Sequence, residues 1–298
     1  MVHRANNQIN KLEMGNRSSN LYSTTTPSKS GEAISGLIGL AVVFVTGFLA
    51  ESVIRSSTDK TARFKMIFDH TASSEDTNVV IRQNPANKDA FTLGLSVNEI
   101  TGPEFAYSFF LFVSPTTFTG DDVLKHVLHK GYTIPWPLMG PAVFIRGNTN
   151  VMRVIMNTYT NPYTYTDIQN IPVQKWFHVV LNCFKGGLDI YINGTLANRI
   201  PFTETAPYQN FQDIHFFSQP NFTFRDSAIA ALPSGKSVTI QGSFNGFLSS
   251  FAYARYALSM SEITGLMNKG PSSKMKNSQK PLPPYLADTW WANQQSGQ

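Results

Sequence analysis

The residues that could do chemistry are few and scattered. Two acidic pairs, Glu75-Asp76 and Asp121-Asp122, come nearest to a catalytic carboxylate pair. Glycoside hydrolysis needs two carboxyl groups roughly 5–10 Å apart across the scissile bond. Consecutive residues of a strand point to opposite faces, so neither pair can aim both groups into one cleft. Both read as solvated loop charges. Cys183 lies in the apolar run WFHVVLNCF and is the only cysteine. No adjacent charge would favour its thiolate, so a buried, inert thiol is expected. One cysteine also excludes an intrachain disulfide and a zinc site built on several thiolates. His178 has no second histidine or carboxylate close in sequence and reads as a strand histidine whose bonds are made within the fold. The loops contain no Asp-x-Asp cluster that would hold calcium. Tyr159, Tyr163 and Tyr165 of NTYTNPYTYT could stack on a sugar ring. The expectation is a protein with no catalytic residue, no metal and no cofactor.

An anchor precedes any element that could position such groups. Ala33 to Ala50 reads AISGLIGLAVVFVTGFLA, without a charge. Eighteen helical residues span about 27 Å, close to the ~30 Å hydrocarbon layer. A cleaved signal peptide has a short basic leader and an apolar core of roughly 7–15 residues. Here a long polar segment comes first, and Phe48 and Ala50 make a poor cleavage site. A buried core helix of this length would show a polar face. A retained transmembrane helix over 33–54 is therefore expected, with Ala33, Leu37, Leu40, Val43, Phe44, Phe48 and Ile54 as anchor residues. Within about 15 residues, only Lys29 flanks it on the N-terminal side, against Arg55, Lys60, Arg63 and Lys65 on the other. Cytosolic flanks are enriched in Lys and Arg, so the C-terminal part is expected in the cytosol. Ser35 and Gly39 have a small-xxx-small spacing that would let two such helices pack.

The remaining segments differ in composition. Residues 1–32 are polar and read as a flexible tail, and 55–75 as a basic stalk. From 76 to 270 the chain is rich in β-branched and aromatic residues, with turn signals such as Asn84-Pro85, Gly140-Pro141 and Gly186-Gly187. Regular short strands without long helical periods imply an all-β sandwich or barrel. Phe105 to Val113, FAYSFFLFV, is apolar on both faces and belongs centrally in a sheet. Leu188, Ile190 and Ile192 alternate with Asp189 and Tyr191, giving one buried face. Asn193-Gly194 is a tight-turn signal, which is preferred to a glycosylation site at Asn193. Ser259-Met260-Ser261-Glu262 is a capping box opening one short helix before Gly270-Pro271. Residues 271–298 form a Lys/Pro/Trp tail with Pro281-Leu282-Pro283-Pro284-Tyr285 and Trp290-Trp291. Such a segment cannot fold alone. It is either disordered, packed back on its own domain, or an arm that docks a partner through Pro284, Tyr285, Trp290 and Trp291.

Lys175-Trp176-Phe177-His178-Val179-Val180 followed by Gly186-Gly187-Leu188-Asp189-Ile190-Tyr191-Ile192-Asn193-Gly194-Thr195-Leu196 resembles the signature of laminin G-like domains. Phe244 to Phe251 and Tyr256 to Ile263 resemble the closing strand and helix of that family. The resemblance covers roughly 95–270. It implies a concanavalin A-like jelly-roll sandwich of two antiparallel sheets, in which Trp176 would lie buried between the sheets. Glucanases of that fold carry Glu-x-Asp-x-Glu on one strand, which this sequence lacks.

The net charge of +5, from 24 Lys+Arg against 19 Asp+Glu, is too small and too dispersed for a nucleic-acid interface. The expected function is therefore a non-enzymatic, membrane-anchored structural or interaction protein. Its expected partners are the lipid bilayer and other structural proteins. The layout is similar to that of membrane-anchored minor capsid proteins of large icosahedral DNA viruses, which would place the domain in the virion between internal membrane and capsid. Glycan binding by a lectin-like adhesion protein is the alternative, and glycoside hydrolysis a remote one.

Overall fold

The computed structural model describes residues 29–76, 79–96, 98–99, 102–202, 205–225 and 237–276. Two compact units divide the chain, residues 1–57 and 58–298. Helix α1 spans Lys29–Arg63. Among the described residues sixteen strands follow: β1 Phe64–Ser73, β2 Val79–Ile81, β3 Asn98–Glu99, β4 Gly102–Pro103, β5 Phe105–Val113, β6 Leu124–Gly131, β7 Met139–Arg146, β8 Met152–Met156, β9 Thr164–Ile168, β10 Trp176–Phe184, β11 Gly187–Ile192, β12 Thr195–Pro201, β13 Ile214–Phe216, β14 Asn221–Arg225, β15 Ser237–Ser243 and β16 Gly246–Ala254. Helix α2, Met260–Lys269, comes after them.

Fourteen of these strands form two sheets facing each other, and β3 and β4 pair separately with each other. One has the order β1-β16-β5-β10-β11-β12, the other β14-β15-β6-β7-β8-β9, with β13 and β2 paired alongside β6. Pairing is antiparallel except between β15 and β6. The expected stalk over 55–75 is divided in the structure: α1 continues to Arg63, and Phe64–Ser73 is a strand of the sandwich paired with β16. Lys65, Asp69 and His70 obscure its alternation, yet Phe68 and Ala72 enter the core.

Period-two alternation decides what each strand buries. Phe105, Tyr107, Phe109, Leu111 and Val113 of β5, with Phe177, Val179, Leu181 and Cys183 of β10, face the opposite sheet. There they meet Val143, Ile145, Met152, Val154 and Phe216. β5 is central, between β16 and β10, as its two apolar faces require. Trp176 is buried, but it is in phase with His178 and not with Phe177. It therefore lies on the outer face of its sheet, not between the sheets as expected. A second apolar cluster, including Phe144, Ile155, Tyr163 and Phe224, fills the outer side of the other sheet.

The local signals are realised. Asn193 and Gly194 both take positive φ, 49° and 75°, the backbone of a two-residue hairpin turn. Ser259 caps α2: its Oγ accepts from the Glu262 N–H, and the Glu262 carboxylate accepts from the Ser259 N–H. Ile263 and Leu266 of α2 then pack with Ala106, Val180 and Ala254.

Candidate functional site

Three features stand out: the apolar helix, a set of buried polar groups, and the outer surfaces of the two sheets. Gly36–Arg55 is a helical stretch of twenty residues long and apolar enough to cross a membrane. Leu37, Leu40, Val43, Phe44, Phe48 and Ile54 are all exposed, Phe44 and Phe48 by 70% and 72%. Ala33 lies in the same helix. Twenty residues at 1.5 Å each give about 30 Å, the thickness of the hydrocarbon layer. Helical backbone bonds satisfy themselves, so such a segment can stand in lipid without neighbours.

Polar side chains in the sandwich are tied into local bonds. Ser218 N–H donates to His126 Nδ1 at 3.1 Å, and His126 Nε2 meets His129 Nδ1 at 2.7 Å. His129 Nε2 meets the Tyr132 carbonyl at 2.6 Å. Both ends of this chain fix the tautomers. A carbonyl only accepts, so His129 Nε2 carries a proton. An N–H only donates, so His126 Nδ1 carries none. The imidazoles are therefore neutral, and burial lowers both pKa values, that of His129 to about 3. His215 stacks on His129 with centroids 4.8 Å apart, and burial lowers its pKa too.

Arg153 joins Asp167 through Nε at 2.7 Å and Nη2 at 2.6 Å, and also donates to Tyr163 Oη. Burial works against this guanidinium, but the Asp167 and Tyr163 bonds hold it protonated. Asp189, buried in β11, accepts from Nε and Nη2 of Arg199. Burial raises the Cys183 thiol far above its ordinary range, in keeping with an unreactive cysteine. Of the acidic pairs, Asp122 is exposed and binds Arg146 at 3.0 Å, while Asp76 accepts from the Ser73 N–H at 3.2 Å beyond the end of β1. Among the described residues, no three His, Cys, Asp or Glu side chains are arranged to hold a metal ion.

The tyrosine trio separates. Tyr163 is buried against Arg153, whereas Tyr159 is exposed and packs edge-on to Tyr208 at 5.2 Å. Tyr165 is partly exposed, with the Arg153 guanidinium 4.1 Å from its ring centre. An open cleft of about 580 Å³ lies elsewhere, lined by Arg82, Ile134, Asp213, His215, Gln219 and Phe222. Nothing in the sequence marks it, because its lining comes from three separate segments, 80–82, 133–134 and 213–222. Among the described residues the His178 ring makes one bond, Nε2 to Ser108 Oγ at 2.8 Å, and its Nδ1 is buried without a partner. The fold therefore does not complete this histidine's bonds as expected. Pro284, Tyr285, Trp290 and Trp291 lie outside the described residues.

No family model and no curated protein matches the sequence. Solved structures do. The receptor-binding domain of botulinum neurotoxin D is 14% identical, with a TM-score of 0.41 over 64% of this chain and 41% of that one. The serotype D ligand-binding domain in complex with N-acetylneuraminic acid is 13% identical, with a TM-score of 0.43 over 65% and 40%. The neurotoxin DC binding domain in complex with rat synaptotagmin II is 18% identical, with a TM-score of 0.41 over 64% and 40%. The chain thus spans less than half the length of the structures it matches.

Proposed function

We propose that this chain is a non-enzymatic, membrane-anchored interaction protein whose β-sandwich binds neighbouring proteins. The observation that carries the reading is Gly36–Arg55, twenty residues of helix with apolar side chains exposed on every side. An apolar surface of that length matches the hydrocarbon layer of a bilayer. The sandwich uses ionisable groups of its interior for structural bonds, with Arg153 on Asp167, Asp189 accepting from the exposed Arg199, and His126 on His129. That is the chemistry of a rigid binding module rather than of turnover. The flanking Lys and Arg favour a cytosolic sandwich, and Pro284, Tyr285, Trp290 and Trp291 are the proposed docking residues of the tail. Within this reading, a minor capsid protein linking an internal viral membrane to its shell is the narrower proposal, supported by the layout alone.

The test is flotation of the full chain on a lipid gradient, followed by cross-linking in its native membrane. The reading expects alkali-resistant membrane association that is lost on deletion of 36–55, and cross-links from the sandwich to other proteins. A full chain that stays in the aqueous phase without detergent overturns it. Glycosylation in cells at Asn193 or Asn221, the acceptors of Asn193-Gly194-Thr195 and Asn221-Phe222-Thr223, would reverse the orientation.

One observation favours a second reading. Tyr159, 72% exposed beside Tyr208, offers an aromatic platform of the kind that stacks on sugars. A glycan array probed with and without calcium separates the two. Specific hits lost in Tyr159→Ala would assign sugar binding to that platform.

A further inference from the structure

The outer face of the six-stranded sheet is organised in rows. Strand register aligns Thr71, Ser249, Phe110 and His178 across β1, β16, β5 and β10. The next row holds Ser73, Phe247, Phe112 and Trp176. α2 packs over another part of this face, with Ala106, Val180 and Ala254. The second row is aromatic: the Phe112 ring centre lies 5.6 Å from Trp176 and 5.9 Å from Phe247. In an antiparallel sheet the face turned away from the core is ordinarily polar, so aromatic rows there mark a surface built to be covered. Phe110 and Trp176 are only 3% and 4% exposed. Nδ1 of His178, in the row holding Phe110, is buried and has no partner among the described residues. A buried polar atom left unbonded on such a face points to a contributing group outside the sandwich strands.

The chain after α2 leads onto this face. Ser272 N–H donates to Ser249 Oγ at 2.8 Å. Thr71 N–H donates to the Lys274 carbonyl at 2.8 Å, and Lys276 N–H to the Thr71 carbonyl at 3.0 Å. Lys274 Nζ reaches Asp69 at 2.9 Å. The Thr71–Met275 bridge is parallel, so the segment runs in the direction of β1, toward Ser73 and the aromatic row. Residues 277–298 follow, with Pro281-Leu282-Pro283-Pro284-Tyr285 and Trp290-Trp291. From β1 to β10 is three strand spacings, about 14 Å. An extended Pro-rich segment covers ~3.1 Å per residue, so Tyr285 can reach about 28 Å from Lys276.

We propose that residues 277–298 dock in cis on the row formed by Phe247, Phe112 and Trp176, with Tyr285, Trp290 and Trp291 as the inserted aromatics and an N–H of the segment donating to His178 Nδ1. Donation to Nδ1 leaves the proton on Nε2, which then donates to Ser108 Oγ, so both ring nitrogens are used. The inference stands whether or not the protein-binding reading holds. A neighbour that engages the same aromatics has to displace them from this face.

The test uses the full chain in detergent micelles, a chain ending at Lys276, and the double variant Trp290→Ala, Trp291→Ala. Hydroxyl-radical labelling is read at Trp176 and Phe247 by mass spectrometry. Both altered chains are expected to show several-fold higher labelling there, with labelling of Phe109 and Phe177 in the core unchanged. A synthetic peptide of residues 277–298, added to the shortened chain, is expected to restore protection where a scrambled peptide does not. A cysteine pair, Phe247→Cys with Trp291→Cys, is expected to cross-link within one chain. Equal labelling in all three proteins overturns the proposal. Cross-links found only between chains overturn docking in cis and assign the face to a second copy.

Discussion

Two stretches of similar apolar character meet opposite fates in this molecule. In α1, the side chains from Leu37 to Ile54 are exposed all round. In β5, FAYSFFLFV is buried on both faces, with only Phe112 partly open. The difference begins in the backbone. A helix satisfies its own N–H and C=O groups and can rest in lipid alone. β5 borrows its bonds from β16 and β10, so its apolar faces are covered by the layers that its partners bring. Hydrophobicity alone therefore does not distinguish an anchor from a core. What distinguishes them is whether the segment is hydrogen-bonded within itself or by neighbours.

That contrast can be broken from either side. Phe251 sits at the centre of the sandwich, its ring 4.9 Å from Phe216 and 5.7 Å from Phe68. Phe251→Ala is expected to destabilise the sandwich by about 3–5 kcal/mol, because the cavity cannot collapse between two sheets. Denaturant unfolding of the micelle-bound chain measures this, while flotation with lipid should not change. Phe44→Arg is the converse. A charge at the middle of a membrane helix costs about 2.5–3.5 kcal/mol of insertion. Flotation should fall while the unfolding midpoint of the sandwich stays put. If either substitution moved both measurements together, the separation of anchor from core would be wrong.

Sequence pattern revealed what local rules govern. The apolar run of α1, the turn at Asn193-Gly194, the Ser259–Glu262 capping box and the centrality of β5 follow from signals a few residues long. What stayed hidden depends on pairing over distance. Lys65, Asp69 and His70 give β1 the composition of a stalk, and only β16, some 180 residues later, gives it a sheet to join. The apolar character of Trp176 signals burial but not the face, which is set by its phase with His178. The histidine chain could not be seen either. His126 and His129 are three apart, which in a regular strand would put them on opposite faces. β6 is irregular between His126 and Leu128, and that shift turns both rings together.

The histidine chain offers a subtler test, of a polar part of the interior. Each ring is neutral in the folded protein and gains a proton more readily when unfolded. Between about pH 6.5 and about pH 3 the unfolded chain binds more protons at His129, so stability is complete above this window and falls as pH falls through it. Each such histidine gives a slope of about 1.4 kcal/mol per pH unit. Denaturant titrations at pH 7, 6 and 5 should show this loss, and His129→Phe should flatten it. A stability that is flat with pH in the unsubstituted protein would mean the chain already accommodates charge.

The smallest effect belongs to α2, which lies between the two extremes. It is apolar on one side only, setting Ile263 and Leu266 on Val180 and Ala254 while its other face meets solvent. Like α1 it bonds its own backbone, and like β5 it needs protein to cover its apolar side. Its first turn depends on Ser259 Oγ, which accepts from the Glu262 N–H. Ser259→Ala is expected to cost about 1 kcal/mol, the usual worth of an N-cap. Hydrogen exchange should show the loss as faster exchange in residues 260–263, with β5 and β10 still protected. If exchange rose in β5 as well, α2 would be part of the core's cooperative unit rather than a cover laid on its outer face.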